Sequence, residues 1–318
     1  MDKPMHDILV ITGPTATGKT RLAALVAHRL GGEVISADSR QVYRGMDIGT
    51  GKDMSDYLVD GRRVPVHLVD VVDAGYRYNV YEYQRDFLRV FGGLSARGCV
   101  PVVCGGSGMY VDSIVSGYRL IQVPVNSQLR ALLAGRPLEE LTGILTQYKS
   151  LHNKTDVETV KRAVRAIEIA DYYAHHPLDE SPFPVKNPLV TAVFFDRDTR
   201  RQRISSRLRS RLEGGMIEEV QRLLAGGVHP DDLLYYGLEY KYVTLHLLNK
   251  MGYDEMTQKL EIEIHRFAKR QMTWFRGMER RGITINWIDG QLPDDEKVDT
   301  ILRLHDRMTT GPHDHMTT

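Results

Sequence analysis

The chain has 318 residues, 42% of them hydrophobic and 26% charged, with a net charge of +1. That balance excludes a disordered polymer, and the length allows one large core or two domains. No apolar stretch reaches the roughly 20 residues that a spanning helix needs, and Met1-Asp2-Lys3-Pro4 lacks a secretory profile, so a cytoplasmic protein with no membrane partner is expected. Cys99 and Cys104 are the two cysteines; they lie beside the apolar run Val100, Val102, Val103, which predicts buried reduced thiols and leaves no Cys/His zinc module. With so little net charge, any contact with nucleic acid must come from local basic faces.

The apolar run Ile8-Leu9-Val10-Ile11 predicts a buried strand, and directly after it stands Gly13-Pro14-Thr15-Ala16-Thr17-Gly18-Lys19-Thr20. This is a complete phosphate-binding loop: backbone N–H groups and the start of a helix face one anion, Lys19 adds charge, and the Thr20 hydroxyl suits Mg²⁺. The spacing of Leu22, Leu25, Val26 and Leu30 predicts the amphipathic helix that must follow. The chain therefore handles a di- or triphosphate.

Further strands are predicted at 33–37, 66–70 and 100–104. Between the last two, Asn79 and Glu82 have capping-box spacing and open a helix that runs to about Arg97 and stops at Gly98. Alternating strands and helices imply an α/β fold of the P-loop nucleoside-triphosphate-hydrolase type, a parallel sheet with helices on both faces. Its ligands sit beyond the strand C-termini, where the phosphate loop, Asp38 and Gly105-Gly106-Ser107-Gly108 gather.

The pattern changes after Gly117. Residues 121–187 read as a small all-helical insertion domain, with helices at 129–133, 138–148 and 157–173 before the Pro177, Pro182, Pro184, Pro188 loop. The P-loop core then comprises 1–120 and 188–318, resuming with a buried strand at 189–195 and helices near 198–213, 216–225 and 254–278. From about Arg303 a disordered tail is expected, carrying His305, His313 and His315 among few core-forming residues.

Three groups of residues carry chemistry. Asp38-Ser39-Arg40-Gln41 follows the second strand, where an Asp can accept a proton, orient a substrate or hold Mg²⁺, and where a turn cap is the plain alternative; Gln41 suits the edge of an adenine. Residues 197–211 contain seven Arg, with Arg203, Arg207 and Arg211 in a row at four-residue spacing, a face suited to an anion. Lys161-Arg162-Ala163-Val164-Arg165 and Lys269-Arg270 with Trp274, Phe275 and Arg276 add basic surface of the kind that meets nucleic acid. The turn Gly105-Gly106-Ser107-Gly108 opens a second helix, and is either an anion site or a plain tight turn.

The phosphate loop, the stretch from Asp38 through Thr50, Gly105 through Tyr110, and Ala268 through Arg276 occur in this order over residues 8–287, and together they resemble the signatures of tRNA dimethylallyltransferases. The resemblance implies transfer of a dimethylallyl group from dimethylallyl diphosphate to N6 of adenosine 37, beside the anticodon, with Mg²⁺ as cofactor and the tRNA anticodon arm as partner of a monomer. It implies that Asp38 is the base, that Thr15 and Lys19 hold the diphosphate assisted by Arg207, and that Asp38, Ser39, Arg40, Gln41, Ser107, Arg130, Lys161, Arg162, Ala163, Val164 and Arg165 meet the tRNA. The sequence departs from the family pattern at Gly51-Lys52-Asp53, where Ala-Lys-Pro is usual, at Glu239, where Gly is usual, and in a shorter insertion. Rival readings are a small-molecule kinase with Asp70 organising Mg²⁺, transfer to a free adenine nucleotide, and a nucleotide-gated RNA-binding module.

Overall fold

The structure is a computed structural model that describes residues 7–148, 150–151, 155–176 and 181–307. Strand β1 (Ile8–Thr12) is buried along its whole length, as an apolar run with no polar alternation requires, and leads through the phosphate loop into α1 (Lys19–Leu30). β2 (Glu33–Ser36) follows, then a small antiparallel hairpin of β3 (Leu58–Val59) and β4 (Arg62–Arg63), and β5 (Val66–His67). This last strand is shorter than its sequence suggests, because Leu68 and Asp70 take positive φ of 61° and 54°, conformations that break an extended ladder.

Helix α2 (Val80–Ala96) opens with the expected capping box: the Asn79 side chain accepts from the Tyr81 and Glu82 amides, and Glu82 reaches back to the Asn79 amide. β6 (Pro101–Cys104) and α3 (Gly108–Val115) complete the first half of the core. After the insertion come β7 (Pro188–Phe194), α7 (Arg197–Glu213), α8 (Met216–Ala225), α9 (Pro230–Tyr235), α10 (Leu238–Leu247), α11 (Tyr253–Arg280), β8 (Ile285–Asp289) and α12 (Asp294–Arg307). Sequence reading missed α9, α10, β8 and α12. For α9 the signal was hidden in an unusual cap, His229, whose ring nitrogen accepts from the Asp231 amide at 3.2 Å.

Residues 303–307 therefore correct an expectation: they end a helix rather than begin a disordered tail, with Ile301 and His305 buried on its inner face. His313 and His315 lie outside the described residues.

The large sheet has the order β5-β2-β6-β1-β7-β8, and every neighbouring pair is parallel. Alternate residues feed two cores: Ile8, Val10, Val103 and Val190 pack with Phe87, Ile114 and Leu260, while Leu9, Ile11, Val102 and Leu189 pack with Leu22, Val26 and Ile301. Helices thus cover both faces, and each fully buried Leu or Ile contributes about 1.5–3 kcal/mol. Both cysteines are free thiols; Cys104 is buried, whereas Cys99 is only half-buried because it precedes the strand. Among the described residues no helix is long and apolar enough to cross a membrane.

Residues Arg119–Pro182 form a separate compact unit. Its helices α4 (Ser127–Leu133), α5 (Leu138–Tyr148) and α6 (Val160–His175) pack Leu133, Leu141, Leu145, Ala163 and Ile167 together. The last helix starts later than its periodicity suggests, because Thr159 caps it by accepting from the Arg162 amide.

One carboxylate fixes the loop between β2 and β3. Glu219 on α8, only 2% exposed, accepts from the amides of Asp47, Ile48 and Gly49 at 2.9, 2.7 and 3.1 Å and from the Tyr240 hydroxyl at 2.7 Å. Removing it orphans four donors, two of them buried, so Glu219→Ala should lower stability by roughly 3 kcal/mol, read as a shifted urea midpoint. An unchanged midpoint would show that these donors find water instead.

Candidate active site

The phosphate loop is shaped by close approach. A Cβ at Gly13, whose φ is +140°, would lie 2.6 Å from the Val193 carbonyl oxygen of β7, so no larger residue fits the turn. Ala16 and Gly18 also take positive φ, 64° and 77°, which turns successive amides toward one side. No side chain caps the start of α1 at Gly18, so its first N–H groups are left for an anion.

Side chains from distant segments converge on this loop. Gln271 of α11 accepts from the Thr15 amide at 2.9 Å and donates to the Gly106 carbonyl at 2.8 Å, clasping the loop to the second glycine turn. Sequence reading placed Gln271 within a signature but gave it no role; the signal was a lone polar residue on the buried face of an amphipathic helix. The Arg row of α7 does face the loop. Arg203 donates to the Ala16 carbonyl at 2.9 Å, and Arg207 donates to the Thr15 hydroxyl at 3.3 Å. Since its amide is taken by Gln271, Thr15 presents only its hydroxyl to a ligand.

Lys19 donates to the Pro14 carbonyl at 3.1 Å, which leaves donors of its ammonium in reserve. Among the described residues neither Lys19 nor Arg207 forms an ion pair with a carboxylate. Burial holds the Lys19 ammonium below its usual range, Arg207 and Arg211 push it the same way, and Cys104 and Asp38 oppose them. Burial, then the neighbouring Arg211, brings Arg207 down to about 10. Two half-buried cations with no carboxylate partner among the described residues make a setting suited to an anion.

Asp38 stands at the end of β2, held there by the Ala37 amide donating to the Cys104 carbonyl at 2.7 Å. Its Oδ1 accepts from the Arg40 amide at 2.9 Å, a turn-capping bond, while its other oxygen has no protein donor among the described residues. Ser107 begins α3 without capping it; its hydroxyl instead accepts from the Ser39 amide at 2.9 Å and donates to Ser39 Oγ at 3.1 Å. Gln41 is buried, with the Ser36 hydroxyl donating to its Oε1 at 3.4 Å. Asp38, Ser39, Gln41 and Ser107 are thus brought together at the sheet edge.

Asp70 has another task. Its carboxylate pairs with the buried Lys52, which also reaches Asp47 at 2.6 Å and the Tyr43 carbonyl at 2.9 Å, so it closes the loop rather than standing open to a metal.

The helical unit rearranges its expected basic face. Arg130 and Arg165 both pair with Glu168, which is 1% exposed, and Arg162 pairs with Glu158. Ala163, expected to meet tRNA, is fully buried in that unit's core, so its side chain is not available for contact; Val164 is half-buried, and Lys161 is exposed. Helical periodicity turns every third or fourth residue inward, and a five-residue stretch must include one that faces the core.

Fold and site define a class: an α/β protein of the P-loop type, with a phosphate-loop turn beside a carboxylate. The family model described as IPP transferase matches residues 41–278, and that described as Isopentenyl transferase matches residues 6–75. The tRNA dimethylallyltransferase 2 of Bacteroides fragilis is 59% identical over 301 residues, covering 95% of this chain and 98% of the relative. The tRNA dimethylallyltransferase 1 of Porphyromonas gingivalis is 54% identical over 298 residues, 94% of this chain and 99% of that one. The solved full-length tRNA isopentenylpyrophosphate transferase of Bacillus halodurans is 27% identical with a TM-score of 0.68, covering 95% of each chain. A eukaryotic dimethylallyltransferase acting on tRNA, 19% identical over 94% of this chain and 77% of its own, has the same fold with a TM-score of 0.72. The chain belongs to the IPP transferase family.

The lowered Lys19 pKa has a sign that can be tested. An anion held by the charged ammonium would lose that partner charge as pH rises through the lowered value, and binding would weaken. Affinity for inorganic pyrophosphate should therefore fall at a lower alkaline pH than an exposed lysine would give, and in Lys19→Met it should be weaker throughout and lack that limb. Calorimetric titration across the neutral to alkaline range reads both.

Proposed function

We propose that the chain transfers a dimethylallyl group from dimethylallyl diphosphate to N6 of adenosine 37 in tRNA, releasing diphosphate. It is a tRNA-modifying prenyltransferase, and no observation favours a kinase or a free-nucleotide acceptor. The observation that carries the reading is Asp38 close enough to Lys19 and Arg207 to act on their charges, where among the described residues the two cations have no carboxylate ion pair and one Asp38 oxygen has no protein donor.

The adenine amine is a weak nucleophile because its lone pair is delocalised into the ring, so the electrophile must be activated. As the allylic C–O bond breaks, carbon gains cationic character and the diphosphate gains charge. The loop amides, Lys19, Arg207 and the Thr15 hydroxyl face that charge, already oriented before reaction. The nitrogen forms its bond to the same carbon, and Asp38 takes the N6 proton. The base must leave its stack to reach the pocket, and Gln41, Ser39, Arg40 and Ser107 are proposed to hold the flipped nucleotide. On the helical unit, exposed Lys161 and Arg162 are the proposed tRNA contacts, with Arg130 and Arg165 tied to Glu168.

Thr20 is the residue of this chain that would hold Mg²⁺ at this site. The Thr20 hydroxyl stands at the first turn of α1 beside the Cys104 thiol, and Mg²⁺ sites of this kind need no dedicated cage of carboxylates. When bound, the ion would neutralise part of the charge on the leaving group.

Asp38→Asn separates the base role from turn capping, since an amide oxygen still accepts from the Arg40 amide. Single-turnover transfer should fall about 10²–10⁴-fold with pyrophosphate and tRNA affinity retained. Near-normal transfer would sink the assignment of Asp38 as base.

A further inference from the structure

Arg211 has no part in the chemistry above. It lies one turn beyond Arg207 on α7, and its Nη1 donates to the Gly49 carbonyl and to Glu239 Oε1, each at 3.2 Å. Gly51 admits it. The φ of Gly51 is +68°, and a Cβ there would lie 1.8 Å from Arg211 Nη2 and 2.1 Å from Arg207 Nη2. The two guanidinium groups thus converge on the space that an alanine methyl would fill.

Two cations in contact repel each other unless something offsets them. Among the described residues the pair has one ion-paired carboxylate, Glu239, on Arg211, so a net positive charge remains directed at Thr15 and Lys19. Both Arg211 and Glu239 are largely shielded from solvent, with side chains 13% and 21% exposed, so water screens this charge weakly. A multiply charged diphosphate leaving group next to Arg207 is the anion such a pair fits, and planar guanidinium forks match phosphate oxygens.

We propose that Arg211 is a second guanidinium ligand of the departing diphosphate and that Glu239 is its positioning residue, holding Nη1 at the Gly49 carbonyl so that Nη2 stands beside Arg207. The proposal rests on the diphosphate reading of the site. Glu239 has two opposing effects: its charge repels the anion, and its hydrogen bond orients the cation. Positioning requires the second to dominate.

Calorimetric titration of inorganic pyrophosphate into the full chain tests this, with Lys19→Met as the control for the site itself. Arg211→Gln should weaken binding about 10-fold, the loss of one charge-assisted hydrogen bond, and Arg211→Lys by less. Glu239→Ala should also weaken it, and should raise KM for dimethylallyl diphosphate while KM for tRNA stays unchanged, a split that general destabilisation does not produce. Tighter pyrophosphate binding by Glu239→Ala would overturn its positioning role. Wild-type affinity in Arg211→Gln, with Lys19→Met weakened, would overturn the assignment of Arg211 and leave the diphosphate reading standing. If the unaltered chain does not bind pyrophosphate, both readings fall.

Discussion

The structure is organised around two half-buried cations, Lys19 and Arg207, that form no ion pair with a carboxylate among the described residues. Both are held where burial disfavours their charge, an arrangement that suits the proposed anion. A protein selected for stability alone would place a carboxylate there, as it does for Lys52 and for Arg165. Everything nearby serves to stop the loop from collapsing onto these charges: Gln271 holds the Thr15 amide, Arg203 holds the Ala16 carbonyl, and the Thr17 hydroxyl donates to the Pro14 carbonyl at 3.0 Å.

A second constraint is that the acid and the cations must be close without neutralising each other. Asp38 is fixed by backbone: its strand pairs with β6, and the Arg40 amide holds one carboxylate oxygen. The Ser39–Ser107 hydrogen bonds tie the segment after Asp38 to the start of α3, so the carboxylate is anchored from both sides of the sheet edge. The same logic extends to the 47–53 loop, where Glu219 gathers three amides and Lys52 gathers two carboxylates. That loop presents Gly51 to the arginines, so a packing arrangement some distance from the chemistry sets the room available to them.

Arg211 belongs to the same design. Glu239 and Gly51 meet at one guanidinium group: the first supplies its partner, the second its space.

The sequence by itself determined the strand–loop–helix unit, the parallel sheet and the capping of α2, because these depend on local periodicity, on glycines at strained turns and on side chains that bond within three residues. It also located Asp38 and the Arg row, since a residue just past a sheet strand and a four-residue repeat on a helix are one-dimensional patterns. It did not reveal β8, α10 or α12, whose weak patterns are stabilised by what they pack against, nor the clasp of Gln271 on Thr15 across 256 residues of chain. Only the tertiary structure decided which basic residues remain available. Arg130 and Arg165 look identical to Lys161 in sequence, yet Glu168 engages the first two, because a buried carboxylate must be paired and its partners are chosen by proximity in space rather than along the chain.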